Sequence, residues 1–76
     1  MKEILESIIL NIVDNREAVV IEEKIDEQQI VYEVKVAEND MGRVIGKQGR
    51  IAKAIRTLMK SLGAKEKKKI TIEFIN

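Results

Sequence analysis

The chain has no cysteine, histidine, proline or tryptophan, and its aromatic content is one tyrosine and one phenylalanine. Without cysteine there are no disulfides and no thiol chemistry, and nothing argues for an oxidising compartment. Losing histidine as well removes the usual transition-metal ligands and the commonest general base, which speaks against a metalloenzyme or a triad hydrolase. The expectation is a protein with no catalytic residues, no metal and no cofactor. Long apolar runs are also missing. The opening stretch Met1-Lys2-Glu3-Ile4-Leu5-Glu6 mixes acids into its hydrophobic residues and never reaches the length of a signal peptide or a membrane span. A cytoplasmic protein without membrane contact is expected, and the lack of proline leaves no sharp linker signal.

What is present suits one small, compact domain over residues 1–76. A chain of this size buries only about 60% of the surface its unfolded form exposes, so a partner or a second copy would add useful stability. Hydrophobic residues make up 45% and charged residues 36%, too apolar for disorder and well above the charged fraction of about 25% in an average domain. The formal net charge of +1 hides a division along the chain. Residues 1–41 hold four Lys/Arg against eleven Asp/Glu, a net −7, whereas residues 42–69 hold ten against one, a net +9. Such polarity draws a polyanion to one face while the acidic remainder discourages binding elsewhere.

Ile4, Leu5, Ile8, Ile9, Ile12 and Val13 recur at helical spacing between Lys2 and Asp14, which predicts an amphipathic first helix. The runs from Ala18 to Ile25 and from Ile30 to Ala37 are rich in β-branched residues with period-two character. The polar Asp26-Glu27-Gln28-Gln29 separates them, which predicts an antiparallel hairpin. Ile30, Tyr32, Val34 and Val36 share one face of it, and Val19, Ile21 and Ile25 share the matching one. Asp40 is placed to cap a short helix through Ile45. Ile51, Ile55, Leu58, Met59 and Leu62 then form an apolar helical stripe, with Gly63 expected just past its end and a basic loop from Lys65 to Lys69. Ile70-Thr71-Ile72-Glu73-Phe74-Ile75 alternates as a final strand. The order α-β-β-α-α-β follows, an α+β fold in which three helices cover one face of a three-stranded sheet.

Between the two later helices lies Gly46-Lys47-Gln48-Gly49, preceded by Val44-Ile45 and followed by Arg50-Ile51-Ala52-Lys53. Glycines without a Cβ let the main chain approach phosphate oxygens, and the helix starting near Arg50 adds free N–H groups and the positive end of its dipole. Lys53, Arg56 and Lys60 cluster on a face turned away from the apolar stripe, at about 100° per residue. Arg50 and Lys53 lie nearest the loop; Arg56 and Lys60 lie farther along. A Walker A reading of Gly42 to Gln48 fails, being one residue short and having Gln where Ser or Thr would bind magnesium.

The run Asp40-Met41-Gly42-Arg43-Val44-Ile45-Gly46-Lys47-Gln48-Gly49-Arg50 is similar to the GxxG core of K-homology (KH) domains, and the whole chain resembles the small stand-alone KH proteins of the KhpA group. That resemblance implies a type II KH fold that binds single-stranded RNA, with the loop clamping the backbone of about four nucleotides while a groove receives the bases. It places Gly46, Lys47, Gln48 and Gly49 on phosphates, with Arg43, Arg50 and Lys53 nearby and Arg56 and Lys60 in a lesser role. Val44, Ile45, Ile51 and parts of the second strand would form the groove floor, although Ile45 and Ile51 read equally well as plain core. It further implies an RNA chaperone or post-transcriptional regulator acting as a homodimer or with a KhpB-type RNA-binding partner, with a link to cell elongation and envelope growth. Tyr32 and Phe74 fall on core-like faces, which argues against an exposed aromatic platform of the RRM or OB type.

Three other readings remain. The second long helix could present Leu58, Met59 and Leu62 as a dimer face, with nucleic-acid binding incidental. Two helices flanking a glycine turn could form a helix-turn-helix reader of duplex DNA, against which the hairpin and the second loop glycine speak. An enzyme would have to rest on carboxylates such as Glu22 and Glu23, which are neighbours in a strand and so point to opposite faces.

Overall fold

The computed structural model of the chain describes residues 2–75, with Lys47 described by its backbone alone. The elements are α1 (Lys2–Ile12), β1 (Val20–Ile25), β2 (Gln29–Lys35), α2 (Glu38–Ile45), α3 (Arg50–Lys65) and β3 (Lys69–Ile75), with short 3-10 turns at Arg16–Ala18 and Lys47–Gly49. The order is the expected α-β-β-α-α-β. The sheet runs β1-β2-β3. β1 and β2 are antiparallel, which a tight hairpin allows, while β3 lies parallel to β2 and therefore needs the long α2–α3 crossover.

Alternation decides which face is covered. Ile21, Ile30, Tyr32, Val34, Ile70 and Ile72 point under the helices and are buried, together with Leu5 and Ile9 of α1, Val44 of α2, and Ile55 and Met59 of α3. Each such aliphatic side chain removed from water contributes about 1.5–3 kcal/mol. Tyr32 is fully buried and donates its hydroxyl to Glu23 Oε2 at 2.7 Å, across the strand pair. Burial, and then the Glu23 carboxylate, push its phenol well above the ordinary range, so it stays a donor. Ile25, expected on the covered face, sits at the hairpin end of an edge strand and is exposed. The hairpin itself is closed by Asp26, whose Oδ1 accepts the amides of Gln28 and Gln29, both at 2.8 Å.

Two expectations change. α2 begins at Glu38, with Ala37 as its cap residue, so Asp40 is not the cap. Asp40 instead lies inside the helix, 1% exposed, and its carboxylate accepts the backbone amides of Asp14 at 3.0 Å and Asn15 at 2.9 Å. These two bonds tie the α1–β1 connection to α2 and outweigh a local cap. Gly63 is not past the end of α3 either, because the helix continues to Lys65. A Cβ at Gly63 would sit 2.2 Å from Ile70 Cγ1 and 2.8 Å from the Lys68 carbonyl, so glycine here permits close helix–strand approach.

Two outcomes follow. The amides of Asp14 and Asn15, with a smaller contribution from Arg43, hold Asp40 below the ordinary aspartate value of 3.8. The unfolded chain therefore binds the extra proton first, so the stabilisation is present above about pH 4 and lost as pH falls through the folded value. Thermal melts from neutral to acid pH should show Asp40→Asn less stable at neutrality and with a shallower acid decline than the parent; equal slopes would contradict this. Gly63→Ala, which in an open helix would stabilise by about 1 kcal/mol, should instead destabilise by about 1–3 kcal/mol in urea unfolding.

Candidate nucleic-acid interface

α2 closes with a 2.8 Å bond from the Gly46 amide to the Gly42 carbonyl, and the chain then turns sharply. Gly46 has φ 71° and ψ −174°, a combination that only glycine adopts without severe strain. A Cβ there would also lie 2.7 Å from the Ile51 side chain, so Ile51 packs directly over the loop. Gln48 is left-handed at φ 57°, ψ 31°, and Gly49 follows at φ 77°, ψ 12°. A left-handed non-glycine residue costs roughly 1–2 kcal/mol, so the loop holds Gln48 against its own preference. Among the described residues, nothing beyond its own chain neighbours lies within 4 Å of a Cβ built on Gly49, so a side chain there would meet open space.

α3 starts at once, and its start is electrically unusual. Gly49 offers no capping side chain, and no acid lies in the first turn. Arg50 and Lys53 stand there instead, both exposed. First-turn amides lack helical acceptors, and the dipole's positive pole disfavours cations by about 0.3–1 kcal/mol each. Farther along, Arg56 turns to the sheet, its Nε donating to the Ile72 carbonyl at 3.3 Å and its guanidinium 5.4 Å from the Phe74 ring centroid. Arg56, Lys60, Lys69, Ile70, Thr71 and Ile72 line a groove of about 150 Å³ between α3 and β3. Among the described residues, no carboxylate lies within 4 Å of Arg50, Lys53, Arg56, Lys60 or Lys69. The acids are elsewhere, with Glu22, Glu33 and Glu73 in one row across the uncovered sheet face.

The site residues expected from sequence divide accordingly. Gly46, Gln48, Gly49, Arg50 and Lys53 come together at the loop; the Lys47 backbone is part of it, and its side chain lies outside what is described. Ile45 and Ile51 are 41% and 36% exposed, so they are surface residues at the loop rather than plain core. Val44 is fully buried and cannot form a groove floor. Arg43 is engaged in ion pairs, at 2.9 Å to Asp14 and 3.8 Å to Asp40, and so braces α2 rather than standing free. The second strand cannot line a groove beside α3, because it is central and β3 takes the edge position. The expected dimer face is also corrected. Met59 is fully buried and Leu62 packs against the core, leaving only Leu58 of the three exposed.

Sequence reasoning missed two features. Phe74 is only half-buried and carries Arg56 on its ring, which strand alternation alone could not reveal. The other is an apolar groove of about 310 Å³ between α1 and α3, lined by Ile8, Ile12, Ile51, Ala54, Ile55 and Leu58. Its signal was present in the α1 stripe, which is wider than one packed face requires. No helix among the described residues is long and apolar enough to cross a membrane.

Known proteins share this pattern along its whole length. The chain is 52% identical to the RNA-binding protein KhpA of Clostridium perfringens, over 99% of this chain and 100% of that one. It is 51% identical to the RNA-binding protein KhpA of Listeria monocytogenes, over 99% of each. Against the protein of the same name from Chlamydia trachomatis the identity is 43%, over 99% of this chain and 96% of that one. No solved structure matches significantly. The model of the KhpA/KhpB KH domain family matches residues 2–74, and with the loop, helices and mixed sheet in place the chain belongs to that family.

Proposed function

We propose that this protein binds single-stranded RNA and performs no catalysis, gripping the sugar–phosphate backbone at Gly46, Lys47, Gln48 and Gly49 and at the first turn of α3. The observation that carries this reading is the uncapped start of α3, where Arg50 and Lys53 occupy positions the helix dipole disfavours and no acid offsets them. A phosphate bound there accepts the free amides and relieves the repulsion between dipole and cations. The relatives named RNA-binding protein support RNA as the source of that phosphate. Ile45 and Ile51, apolar and open beside the loop, are suited to contact a base or ribose face.

A footprint this short gives modest affinity, so a second binding unit, by raising effective concentration, would make the binding useful. The α1–α3 groove, with the exposed Leu58 in its lining, supports association with a second copy or with a KhpB-type RNA-binding protein. In that setting the domain would serve as a cytoplasmic RNA chaperone or post-transcriptional regulator, with effects on cell elongation and the envelope.

Two measurements test these points. A labelled single-stranded RNA titrated at several salt concentrations should give a log–log slope of about −2 to −3, at roughly −0.7 for each of three or four phosphates. A folded Lys47→Asp/Gln48→Asp variant should bind at least roughly tenfold more weakly, and parent-like binding by it would end the RNA reading. Separately, sedimentation should show an assembled parent and a monomeric Leu58→Asp variant; a parent that stays monomeric alone and with a KhpB-type partner would remove the association reading.

A further inference from the structure

Among the described residues, no strand pairs with the outer edge of β1. The Asp26 amide donates to the Gln29 carbonyl at 2.9 Å, so these two face each other as a hydrogen-bonded pair. Such pairs alternate along an antiparallel ladder. Lys24 with Val31, Glu22 with Glu33 and Val20 with Lys35 are therefore bonded pairs, and Val20, Glu22 and Lys24 turn their main-chain groups to β2. Ile21, Glu23 and Ile25 turn theirs outward. Side chains alternate as well, with Glu22 and Lys24 on the uncovered sheet face and Ile21, Glu23 and Ile25 on the helix face. Ile25 is 58% exposed there.

Charges on an edge ordinarily keep other strands away. Here they select one register. A second β1 laid antiparallel across a two-fold axis must set outward groups against outward groups, which places the axis at Glu22, Glu23 or Lys24; axes nearer either end leave half of the strand unpaired. With the axis at Glu22, two copies of that acid meet and Ile21 faces Glu23. With the axis at Lys24, two lysines meet and Ile25 faces Glu23. Like charges directly opposite each other destabilise both arrangements. With the axis at Glu23, Glu22 faces Lys24 twice, Ile21 faces the exposed Ile25 twice, and every outward N–H and C=O from Ile21 to Ile25 finds a partner. Glu23 then meets its own copy, but its carboxylate is turned to β2, where Oε2 accepts the Tyr32 hydroxyl at 2.7 Å. Lys24 pairs with Glu33 at 3.2 Å while its side chain stays 62% exposed, which leaves N–H groups for a second carboxylate.

We infer that the outer edge of β1 is a self-complementary docking surface, which adds the β1 of a second copy in the register centred on Glu23 and joins two domains through one continuous sheet. A single strand pair is smaller than the roughly 1,200 Å² of a stable, specific interface. It therefore links copies already associated through the α1–α3 groove, which α1 and α3 line away from this edge. In that respect the inference rests on the association reading. Each link brings another Gly46–Gly49 loop within reach of the same ligand and so raises effective concentration.

The lack of cysteine in the chain supplies the test. In the Glu23-centred register Glu22 and Lys24 form a non-hydrogen-bonded pair, whose Cα atoms stand about 4.5 Å apart, within disulfide reach. Glu22→Cys and Lys24→Cys variants, each checked for folding by circular dichroism, are mixed in equal amounts and oxidised in a glutathione buffer, and the products are resolved by mass spectrometry. Joining position 22 of one variant to position 24 of the other keeps one Glu22–Lys24 ion pair. That mixed disulfide should form at least roughly tenfold faster than either like-with-like disulfide. It should also outpace the disulfide of Glu73→Cys, a control in the same row on the opposite edge. With Leu58→Asp added to both variants, the mixed product should slow to the control rate. A dominant 22–22 or 24–24 product, or a mixed product no faster than the control, overturns the inference and leaves the association reading to sedimentation of the parent. Unslowed formation with Leu58→Asp upholds the edge and removes the groove as its prerequisite.

Discussion

Everything at the basic end of this molecule depends on how the chain gets from Ile45 to Arg50. Two helices must meet at an angle within four residues, and the turn places Gly46 where a Cβ is excluded twice, by its backbone angles and by Ile51. Because Gly46 gives way, Ile51 can lie against the loop and α3 can begin directly after Gly49. Because Gly49 at that start makes no side-chain cap bond, the first amides of α3 have no capping acceptor from that residue. The proposed anion site is thus a consequence of the packing, and the packing is a consequence of one residue's lack of a side chain.

Charge placement turns that geometry into selectivity. The acidic half of the chain supplies carboxylates that have structural work: Asp40 holds the α1–β1 connection, Glu23 takes the Tyr32 proton donor, and Glu33 pairs with Lys24 at 3.2 Å. The row of Glu22, Glu33 and Glu73 makes the uncovered sheet face unattractive to a polyanion. From the basic half of the chain, Arg43 is recruited into this acidic framework, and among the described residues Arg50, Lys53, Arg56, Lys60 and Lys69 have no carboxylate within 4 Å. A near-neutral protein therefore presents one attractive face.

Much of the fold was legible in the sequence because its elements have strong local signatures. Period-two runs fixed the strands, and the α3 stripe and the glycine turn fixed the helical half. Apart from Ile25, exposed at the hairpin end of an edge strand, the failures are places where a distant residue decided the outcome. Asp40 looked like a cap because its partners, the amides of Asp14 and Asn15, lie some twenty-five positions away and leave no mark near it. Gly63 looked like a stop signal because the crowding by Ile70 and Lys68 appears only once β3 has returned against α3. Val44 and Arg43 sat inside the loop motif, and the motif gave no means of telling a buried neighbour or an ion-paired one from an open one. Strand order, which makes β3 the wall beside α3, is likewise set by the crossover and not by any short stretch of residues.

The central claim, that a phosphate chain seats on the amides at the start of α3, is tested most directly by following the backbone amide resonances of isotopically labelled protein as single-stranded RNA is added. The largest shifts should fall on residues 46 to 53, with smaller ones following α3 toward Lys60 and none on the Glu22, Glu33 and Glu73 row. Shifts confined to the α1–α3 groove, or to the sheet face, with the loop amides unmoved at saturation, would contradict it.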